Sequence, residues 1–212
     1  MNEYDVIIIG GGATGAGTLR DCSMRGLRTV LIERSDIATG ATGRNHGLLH
    51  SGARYAVTDQ ESARECISEN QILRRIASHC VDETDGFFIS LPDDDLSFQT
   101  KFVKSCQSAG IRADVIDPKE ALVLEPSMNP AVTGAVRVPD GSIDPFRLTA
   151  SNIRDAKTLG ANVLTYHMVT ELIRRQDAIV GVKILNARTK ETSELYAPII
   201  VNACGIWGAH IA

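Results

Sequence analysis

The start of the chain contains two apolar runs separated by glycines and by a segment of helical character. The first run, Tyr4–Ile9, leads into the glycines, and the helical segment then continues to about Arg25, where Gly26 ends it. The second run is Arg28–Glu33. The order strand, helix, strand is typical of two parallel strands joined by a right-handed crossover, so it predicts an α/β fold.

Beyond a long polar connection at Ser35–Tyr55, helical and strand patterns alternate. Helical spacing and capping residues predict helices over Asp59–Cys80, over Leu96–Ala109 and from the N-cap Asp144 to about residue 159. The predicted strands are Gly86–Leu91, Asp114–Ile116, Gly134–Val138, Val163–His167, Val169–Arg174, Ile179–Ala187, Thr192–Tyr196 and Ile199–Asn202. We expect the last of these strands to rejoin the first sheet.

The mixed middle section and the returning strand indicate two interleaved domains. The predicted fold class is α/β, and α+β when the chain is taken as a whole. We expect a Rossmann-like domain formed by residues 1–85 and 144–212, interrupted by part of a second domain at residues 86–143. Near the end, Gly208–Ala212 resembles the opening of a helix without a terminating signal. This favours the interpretation that the chain is part of a longer protein.

The composition is that of an ordinary folded protein: of 212 residues, 43% are hydrophobic and 23% are charged, and the net charge is −4. Acidic and basic residues are interspersed. This argues against a nucleic-acid partner, because proteins that bind nucleic acids usually present a basic face. No run of about 18 apolar residues is present, so no membrane span is predicted. The five scattered cysteines lack a CxxC pair and indicate reduced thiols of a cytoplasmic protein, without a metal site.

A glycine-rich motif, GGGATG at Gly10–Gly15, stands directly between the first apolar run and the first helix. Gly10 allows the tight turn, Gly12 lets a pyrophosphate approach the backbone, and Gly15 lets helix and strand pack closely. The helix N-terminus supplies free N–H groups for phosphates. Glu33 ends the second apolar run, where a carboxylate can accept both ribose hydroxyls. Together these features predict a dinucleotide site, although glycines alone could also form a structural turn.

The choice between dinucleotides depends on the sequence around this motif. An acidic residue at position 33 argues against the 2′-phosphate of NADP. The connection Thr39–Gly47 is rich in Gly, Thr and Asn, and it can offer N–H donors to a flavin without steric obstruction. A simple NAD domain would tend to continue with another short strand–helix unit. We therefore expect FAD, with a mobile surface loop as the alternative interpretation of this connection.

Five segments carry a resemblance to a known family. They are Ile7–Gly17, Ile37–Val57, Glu61–Asn70, Val138–Thr149 and Val201–Gly208. The chain resembles FAD-dependent oxidoreductases of the amino-acid-oxidase type, and more closely the glycerol-3-phosphate dehydrogenase family. The resemblance covers essentially the whole chain and implies a Rossmann-like FAD-binding domain interleaved with part of a substrate-binding domain. The implied reaction is oxidation of sn-glycerol 3-phosphate to dihydroxyacetone phosphate, with the hydride passed to the flavin.

The resemblance also implies the residues that contact the cofactor. They are Gly10, Gly11, Gly12, Thr14, Gly15, Glu33 and Arg34 at the ADP half, Thr42, Gly43, Asn45, His46, Gly47 and Leu48 along the flavin, Val169 at the adenine, and Ala203 and Gly205 after the returning strand. Cys204 departs from the alanine expected at its position. A small thiol fits an alanine site, so we interpret it as tolerated and not redox-active.

His50, Arg54 and Tyr55 are the candidate catalytic and substrate-binding residues. By resemblance, Arg54 faces the substrate phosphate beside the flavin, and a guanidinium suits a phosphate dianion because it offers paired donors. Tyr55 can add a hydroxyl donor. The alternative for Arg54 is a surface salt bridge. His46 and His50 could each be a general base, an electrostatic partner or a packing residue; some relatives attach flavin through a histidine here, but we expect noncovalent FAD.

No iron–sulfur cysteine pattern is present, so electrons are expected to leave through a partner. The resemblance implies further subunits of a catalytic complex, an iron–sulfur subunit that anchors the complex to the membrane, and a quinone as acceptor. It places the protein in the cytoplasm, peripherally on the inner face of the cell membrane. Three alternatives stay open: an FAD-dependent 2-hydroxy acid (hydroxyglutarate-type) dehydrogenase, an FAD-binding module for tRNA modification or regulation, and an FAD-binding fragment that is inactive alone.

Overall fold

The computed structural model describes residues 4–211, which divide into two compact units. The first unit consists of the chain up to His46 and from Asp144 onward, and the second is Gly47–Ile143. In chain order the elements are β1 (Val6–Ile9), α1 (Ala13–Met24), β2 (Thr29–Glu33), β3 (Leu48–Leu49), α2 (Gln60–Ile76), β4 (Val81–Asp82), β5 (Gly86–Ser90), α3 (Ser97–Ser108), β6 (Asp114–Ile116), α4 (Pro118–Leu124), β7 (Gly134–Val138), β8 (Gly141–Ile143), α5 (Pro145–Thr158), β9 (Asn162–Thr165), β10 (His167–Arg175), β11 (Ala178–Asn186), β12 (Thr192–Tyr196) and β13 (Ile199–Asn202).

The first unit is built on a four-stranded parallel sheet with the strand order β13-β1-β2-β9. Val6 of β1 lies opposite both Ile199 of β13 and Thr29 of β2, so the returning strand pairs beside the first strand as predicted. Strands β10, β11 and β12 form a separate antiparallel sheet in the same unit. The predicted α/β class with a parallel sheet is confirmed.

Both faces of β1 are buried, which explains why its sequence is a continuous apolar run. On one face, Val6 packs in a core with Leu19 of α1 and Ile153 of α5. On the opposite face, Ile7 packs with Val182 of the antiparallel sheet. Alternate residues of this strand therefore hold two helices on one side and the second sheet on the other.

Helix α1 approaches the sheet closely because Gly10, in the turn before the helix, and Gly15, in its first turn, lack side chains. Gly10 has a φ of +111°, and a Cβ there would lie 2.5 Å from the carbonyl oxygen of Ala203. A Cβ on Gly15 would overlap the carbonyl oxygen of Gly10. The helix can therefore begin directly behind the end of β1 only with glycine at both positions.

The second unit combines an antiparallel sheet of order β5-β7-β6, a small sheet of order β3-β8-β4, and helices α2, α3 and α4. Its core joins Ala63 and Ile67 of α2 to Phe102 of α3 and Val136 of β7. Because α2 shares this core, the first division of the chain lies after residue 46, whereas the sequence placed it after residue 85. The second division between the units lies after residue 143, and the assignment of the units to an FAD-binding and a substrate-binding domain stays a prediction.

Several elements differ from the prediction. Helix α4 was missed, although Asp117 caps it and precedes Pro118 in the same way that Asp144 caps α5 and precedes Pro145. Helix α2 ends before the predicted residue 80, where a 3₁₀ turn follows. The helix opening expected near the end of the chain is a 3₁₀ helix, Gly205–His210, and residue 212 lies outside the described residues.

All five cysteines are thiols, and burial is the main cause of a raised pKa in four of them. These are Cys22, Cys66, Cys106, whose pKa is raised to about 11, and Cys204. Within residues 4–211, no group of three or more His, Cys, Asp or Glu side chains is arranged to hold a metal ion. None of the helices in that range is long and apolar enough to cross a membrane.

The packing of α1 on β1 provides a test with a matched control on the same helix. Gly15→Ala forces a methyl group against the carbonyl oxygen of Gly10, and overpacking of this kind costs about 1–3 kcal/mol. At Gly17, an added Cβ would meet no described atom within 4 Å, and Gly17→Ala is expected to raise the free energy of unfolding by about 0.4–1 kcal/mol. Urea unfolding followed by circular dichroism measures both values. Equal stabilities of the two variants would contradict the close approach of helix and strand.

Candidate functional site

The carboxyl ends of three adjacent parallel strands, β1, β2 and β13, meet at one edge of the sheet. Helix α1 begins at this edge with Gly12 as its N-cap and with no acidic residue in its first turn. The N–H of Ala13 donates to Oγ1 of Thr42 over 3.0 Å. An α-helix leaves its first N–H groups without an intrahelical acceptor, and those of Thr14 and Gly15 are in this position. The start of α1 therefore offers N–H donors and a partial positive charge to an anion.

Glu33, at the end of β2, is held against the glycine turn by both carboxylate oxygens. Oε2 accepts the N–H of Gly11 over 2.7 Å, and Oε1 accepts the N–H of Ser35 over 2.8 Å. A Cβ on Gly11 would lie 3.0 Å from the Cβ of Glu33, so the two chain segments approach closely here. Each carboxylate oxygen keeps a second lone pair. The carboxylate is thus oriented by the backbone and retains the capacity to accept hydrogen bonds from hydroxyl groups.

A cleft of about 500 Å³ opens at this edge of the first unit, within the range of roughly 300–1,000 Å³ that is typical of ligand pockets. The predicted cofactor residues that line it are Gly10, Gly11, Gly12, Thr14, Glu33, Arg34, Thr42, Val169, Ala203 and Gly205. They come from the ends of β1, β2 and β13, from the polar connection and from β10. The structure therefore brings six of the seven predicted ADP-half residues and the two late-strand residues to one place.

Six predicted cofactor residues are not among the lining residues of the cleft in the described part of the chain. They are Gly15, Gly43, Asn45, His46, Gly47 and Leu48. Gly15 is buried behind the cleft, and Nδ2 of Asn45 donates to the carbonyl oxygen of Thr42 over 2.6 Å. Gly47 and Leu48 belong to the second unit. Their contacts with a flavin stay predictions.

Sequence reasoning did not single out Trp207, which also lines the cleft. The guanidinium of Arg34 lies over its ring, with the central carbon 4.3 Å from the ring centroid. A Cβ on Gly40 would lie 3.2 Å from the same ring. The other lining residues are Ile9, Ala13, Ile32, Ser35, Thr39, Gly40, Ala41, Arg44, His167, Met168, Cys204, Ile206, His210 and Ile211, of which Thr39, Gly40, Ala41 and Arg44 belong to the connection predicted to face a flavin. Many of them follow strands whose carboxyl ends meet at this edge, and that position was the available signal.

Cys204 lines the cleft as a protonated thiol. Its Sγ donates to the carbonyl oxygen of Ile9 over 3.4 Å. Burial raises its pKa, the charge of Glu33 raises it further, and the charge of Arg34 partly offsets these effects. A protonated thiol is a weak nucleophile, because the thiolate is the reactive form. This supports the interpretation of Cys204 as a small packing residue.

His50, Arg54 and Tyr55 lie in the second unit and flank a short buried stretch. Ser51–Ala53 is buried, whereas the three flanking residues are exposed. The rings of His50 and Tyr55 meet edge-on with their centroids 5.9 Å apart. Within residues 4–211, Arg54 forms no ion pair, so the surface salt bridge considered for it is not formed there.

Residues 5–212 match the family model described as DAO, FAD dependent oxidoreductase. The chain belongs to this FAD-dependent oxidoreductase family. Two curated relatives are each named as one subunit of an anaerobic glycerol-3-phosphate dehydrogenase. The relative from Escherichia coli (strain K12) is 67% identical over 98% of this chain and 38% of the relative, and the one from Haemophilus influenzae is 62% identical over 98% of this chain and 37% of the relative.

A solved structure of the same fold is the glycerol-3-phosphate dehydrogenase from Bacillus halodurans complexed with FAD. Its TM-score to this FAD-dependent oxidoreductase chain is 0.72 at 26% identity, and the match covers 96% of this chain and 34% of that one. The similarity confirms the Rossmann-like fold class. The chain spans less than half the length of this structure and of both relatives, at 34%, 38% and 37%.

The cleft of this FAD-dependent oxidoreductase fits the adenosine diphosphate part of FAD. The glycine turn leaves no space for side chains, since a Cβ on Gly12 would lie 3.0 Å from Oγ1 of Thr42. The free N–H groups at the start of α1 suit a pyrophosphate, and the oriented carboxylate of Glu33 suits ribose hydroxyls. The residues present therefore match the chemistry of the family's cofactor.

The two partly buried thiols of the first unit provide a test of cofactor placement that does not depend on activity. Cys204 lines the cleft and Cys22 lies on α1. Because burial raises the pKa of both, alkylation by iodoacetamide should be slow at pH 7 and accelerate by roughly tenfold per pH unit below the thiol pKa. At pH 9, peptide mass spectrometry should show that added FAD slows modification of Cys204 and not of Cys22. Modification of Cys204 at the same rate with and without FAD would place the cofactor elsewhere.

Proposed function

We propose that this chain is the flavin-binding portion of a dehydrogenase that oxidises sn-glycerol 3-phosphate to dihydroxyacetone phosphate. The observation that carries the proposal is the identity of 67% over 98% of the chain with a relative whose name is that of an anaerobic glycerol-3-phosphate dehydrogenase. Because the chain covers 38% of that relative, the substrate pocket is expected to include residues of a longer enzyme. The names of both curated relatives favour this substrate over a 2-hydroxy acid.

The cleft of the first unit would hold FAD noncovalently. N–H groups at the start of α1 would bind the pyrophosphate, and Glu33 would accept hydrogen bonds from the ribose hydroxyls. The backbone of Val169 would contact the adenine, while Thr42 and Gly205 would lie toward the flavin. When bound, FAD supplies the hydride acceptor. The task of the chain would be to hold that acceptor in place.

Three further residues of the chain would act on the substrate. Arg54 would bind the phosphate through paired N–H donors, and Tyr55 would add a hydroxyl donor. His50 would accept the proton of the substrate hydroxyl, since an imidazole nitrogen within hydrogen-bond reach of a hydroxyl can act as a general base. The edge-on contact of its ring with Tyr55 limits the orientations that this imidazole adopts.

We further propose that the electrons leave through partner subunits. Both relatives are named as one subunit of their enzyme, which implies more than one kind of subunit in those proteins. We expect an iron–sulfur subunit that anchors the complex on the inner face of the cell membrane and passes electrons to a quinone. The lack of a CxxC pattern in this sequence is consistent with placing the iron–sulfur clusters outside residues 1–212.

Noncovalent binding predicts that the cofactor is released when the protein is denatured. Holoprotein precipitated with acid should leave yellow FAD in the supernatant, identified by its absorption bands and by chromatography. The expected amount is about one FAD per chain for a single cleft. Flavin that stays with the protein pellet would contradict noncovalent binding and would point to a histidine linkage.

Arg54 is expected to affect substrate use more than flavin content or folding. A charge-assisted hydrogen bond contributes about 1.5–3 kcal/mol, so Arg54→Ala should lower kcat/KM for glycerol 3-phosphate about 10- to 100-fold. Arg54→Lys keeps the charge and loses the paired donors, and it should be impaired less than Arg54→Ala. Steady-state kinetics of the full-length enzyme, with FAD content measured in parallel, give both values.

The control for Arg54 is another exposed arginine of the same unit. Arg75→Ala on α2 removes the same charge and should leave kcat/KM within about twofold of wild type. Wild-type kcat/KM in Arg54→Ala at full FAD occupancy would remove Arg54 from the substrate site. Loss of flavin together with activity would move Arg54 to the cofactor site. Faster reduction by 2-hydroxyglutarate than by glycerol 3-phosphate would overturn the proposed substrate.

A further inference from the structure

Three polar side chains, two of them buried and one half-buried, form a cluster in the second unit, next to the segment that carries His50. Asn70 and Arg74 lie on α2, and Asp140 lies in the turn between β7 and β8. Asn70 is 2% exposed, Asp140 is 8% exposed and the side chain of Arg74 is 19% exposed. Buried polar groups of this kind are stable only when their hydrogen-bond partners are in place, so the identity of those partners shows what the cluster holds.

The cluster binds the backbone on both sides of His50. Nδ2 of Asn70 donates to the carbonyl oxygen of Leu49 over 3.1 Å, and Oδ1 of Asp140 accepts the N–H of Ser51 over 2.6 Å. The two contacts join positions that are 21 and 89 residues apart in the sequence. Local chain geometry does not produce such contacts, so they depend on the folded second unit.

Arg74 connects the two halves of the cluster. Its Nε donates to Oδ1 of Asn70 over 2.8 Å, and its Nη2 donates to the carbonyl oxygens of Pro139 at 3.0 Å and Asp140 at 2.8 Å. Because Oδ1 of Asn70 accepts from a guanidinium, its Nδ2 must face the carbonyl oxygen of Leu49. The planar fork of Arg74 thus fixes both the amide and the turn that carries the carboxylate.

Glycines leave the space that this cluster needs. A Cβ on Gly86 would lie 2.6 Å from a carboxylate oxygen of Asp140, and a Cβ on Gly141 would lie 3.0 Å from Nη2 of Arg74. Gly52, two residues after His50, has a φ of +87°, and a Cβ there would lie 2.7 Å from the backbone of α2. The stretch after His50 therefore cannot shift without displacing the helix that supplies two members of the cluster.

We propose that Asn70, Arg74 and Asp140 are positioning residues that fix the backbone on both sides of His50. Because hydrogen bonds hold the backbone at Leu49 and Ser51, the His50 ring can move only by rotation about its two side-chain torsion angles. Catalytic geometry tolerates errors of only about 0.5 Å, so a backbone held on both sides sets the position of the base. This inference rests on the proposed function, because it assigns the proton-accepting role to His50.

Asp140 provides the sharpest test in the full-length holoenzyme. Asp140→Ala removes the acceptor of the Ser51 N–H, whereas Asp140→Asn keeps a carbonyl oxygen in its place. Asp140→Ala is expected to lower kcat about 10- to 100-fold with a smaller change in KM, and Asp140→Asn to restore much of the loss. A purely structural role would lower flavin content and thermal stability without this selective fall in kcat. Wild-type kcat in Asp140→Ala would overturn the proposal.

A second pair of variants keeps the test decisive if Asp140→Ala does not fold. Arg74→Lys retains the charge and loses the fork, while Arg75→Lys makes the same change at an exposed neighbour on α2. Arg74→Lys should lower kcat about tenfold at full FAD occupancy, and Arg75→Lys should leave it unchanged. Equal kcat values in the two variants would overturn the proposal.

Hydrogen exchange separates this inference from the proposed function. If the wild-type enzyme does not oxidise glycerol 3-phosphate, the proposed function fails and the exchange result alone decides the positioning role. Peptides covering residues 49–55 should exchange about tenfold faster in Arg74→Lys than in Arg75→Lys, while peptides of α1 exchange equally in both. Unchanged exchange at residues 49–55 would overturn the positioning role whatever the activity is.

Discussion

The close approach of α1 to the end of β1 is the contact on which the first unit depends. No side chain fits between the helix and the turn at Gly10 and Gly15, so the helix begins directly at the sheet edge. The same steric limit directs the unpaired N–H groups of the helix toward the place where β1, β2 and β13 end. The lack of space at Gly10 and Gly15 therefore determines both how the helix packs in the core and where its N–H groups lie in the cleft.

Backbone contacts shape the surroundings of the candidate residues in each of the two units. In the first unit, both oxygens of Glu33 are bound to N–H groups, which orients the carboxylate without any ligand. In the second unit, the buried Ser51–Ala53 stretch leaves His50 and Arg54 exposed on its two sides. A carboxylate that is already oriented, as that of Glu33 is, loses little conformational freedom on binding, which favours affinity.

The fold was predictable where the sequence pattern is strong and local. The continuous apolar run of β1, the glycine turn and the Asp144-Pro145 start of α5 each determine their structure within a few residues. The two-residue strand Leu48–Leu49 was not predictable, because two residues show no periodicity. Helix α4 carried a readable Asp-Pro signal but is only seven residues long, too short for a clear helical pattern.

The candidate site was predictable only in part, for a related reason. The ADP-half residues lie in one motif and at one strand end, whereas Trp207 reaches the cleft only through the pairing of β13 with β1. The cluster of Asn70, Arg74 and Asp140 could not be predicted from the sequence either. Arg74 is a charged residue on an amphipathic helix, and such residues are usually exposed. Its partners are distant in the sequence, and only the folded chain shows that they meet.

The pairing of β1 with β13 also determines when this protein can fold during its synthesis. β1 is complete at Ile9, but its neighbour on one side is Ile199–Asn202. At about 5–20 residues per second, the ribosome needs on the order of 10–40 s to reach that strand. Until then β1 has an unpaired apolar edge, which is a template for wrong strand pairing. The interleaved topology therefore leaves one edge of β1 without its neighbour for most of the time in which residues 1–212 are synthesised.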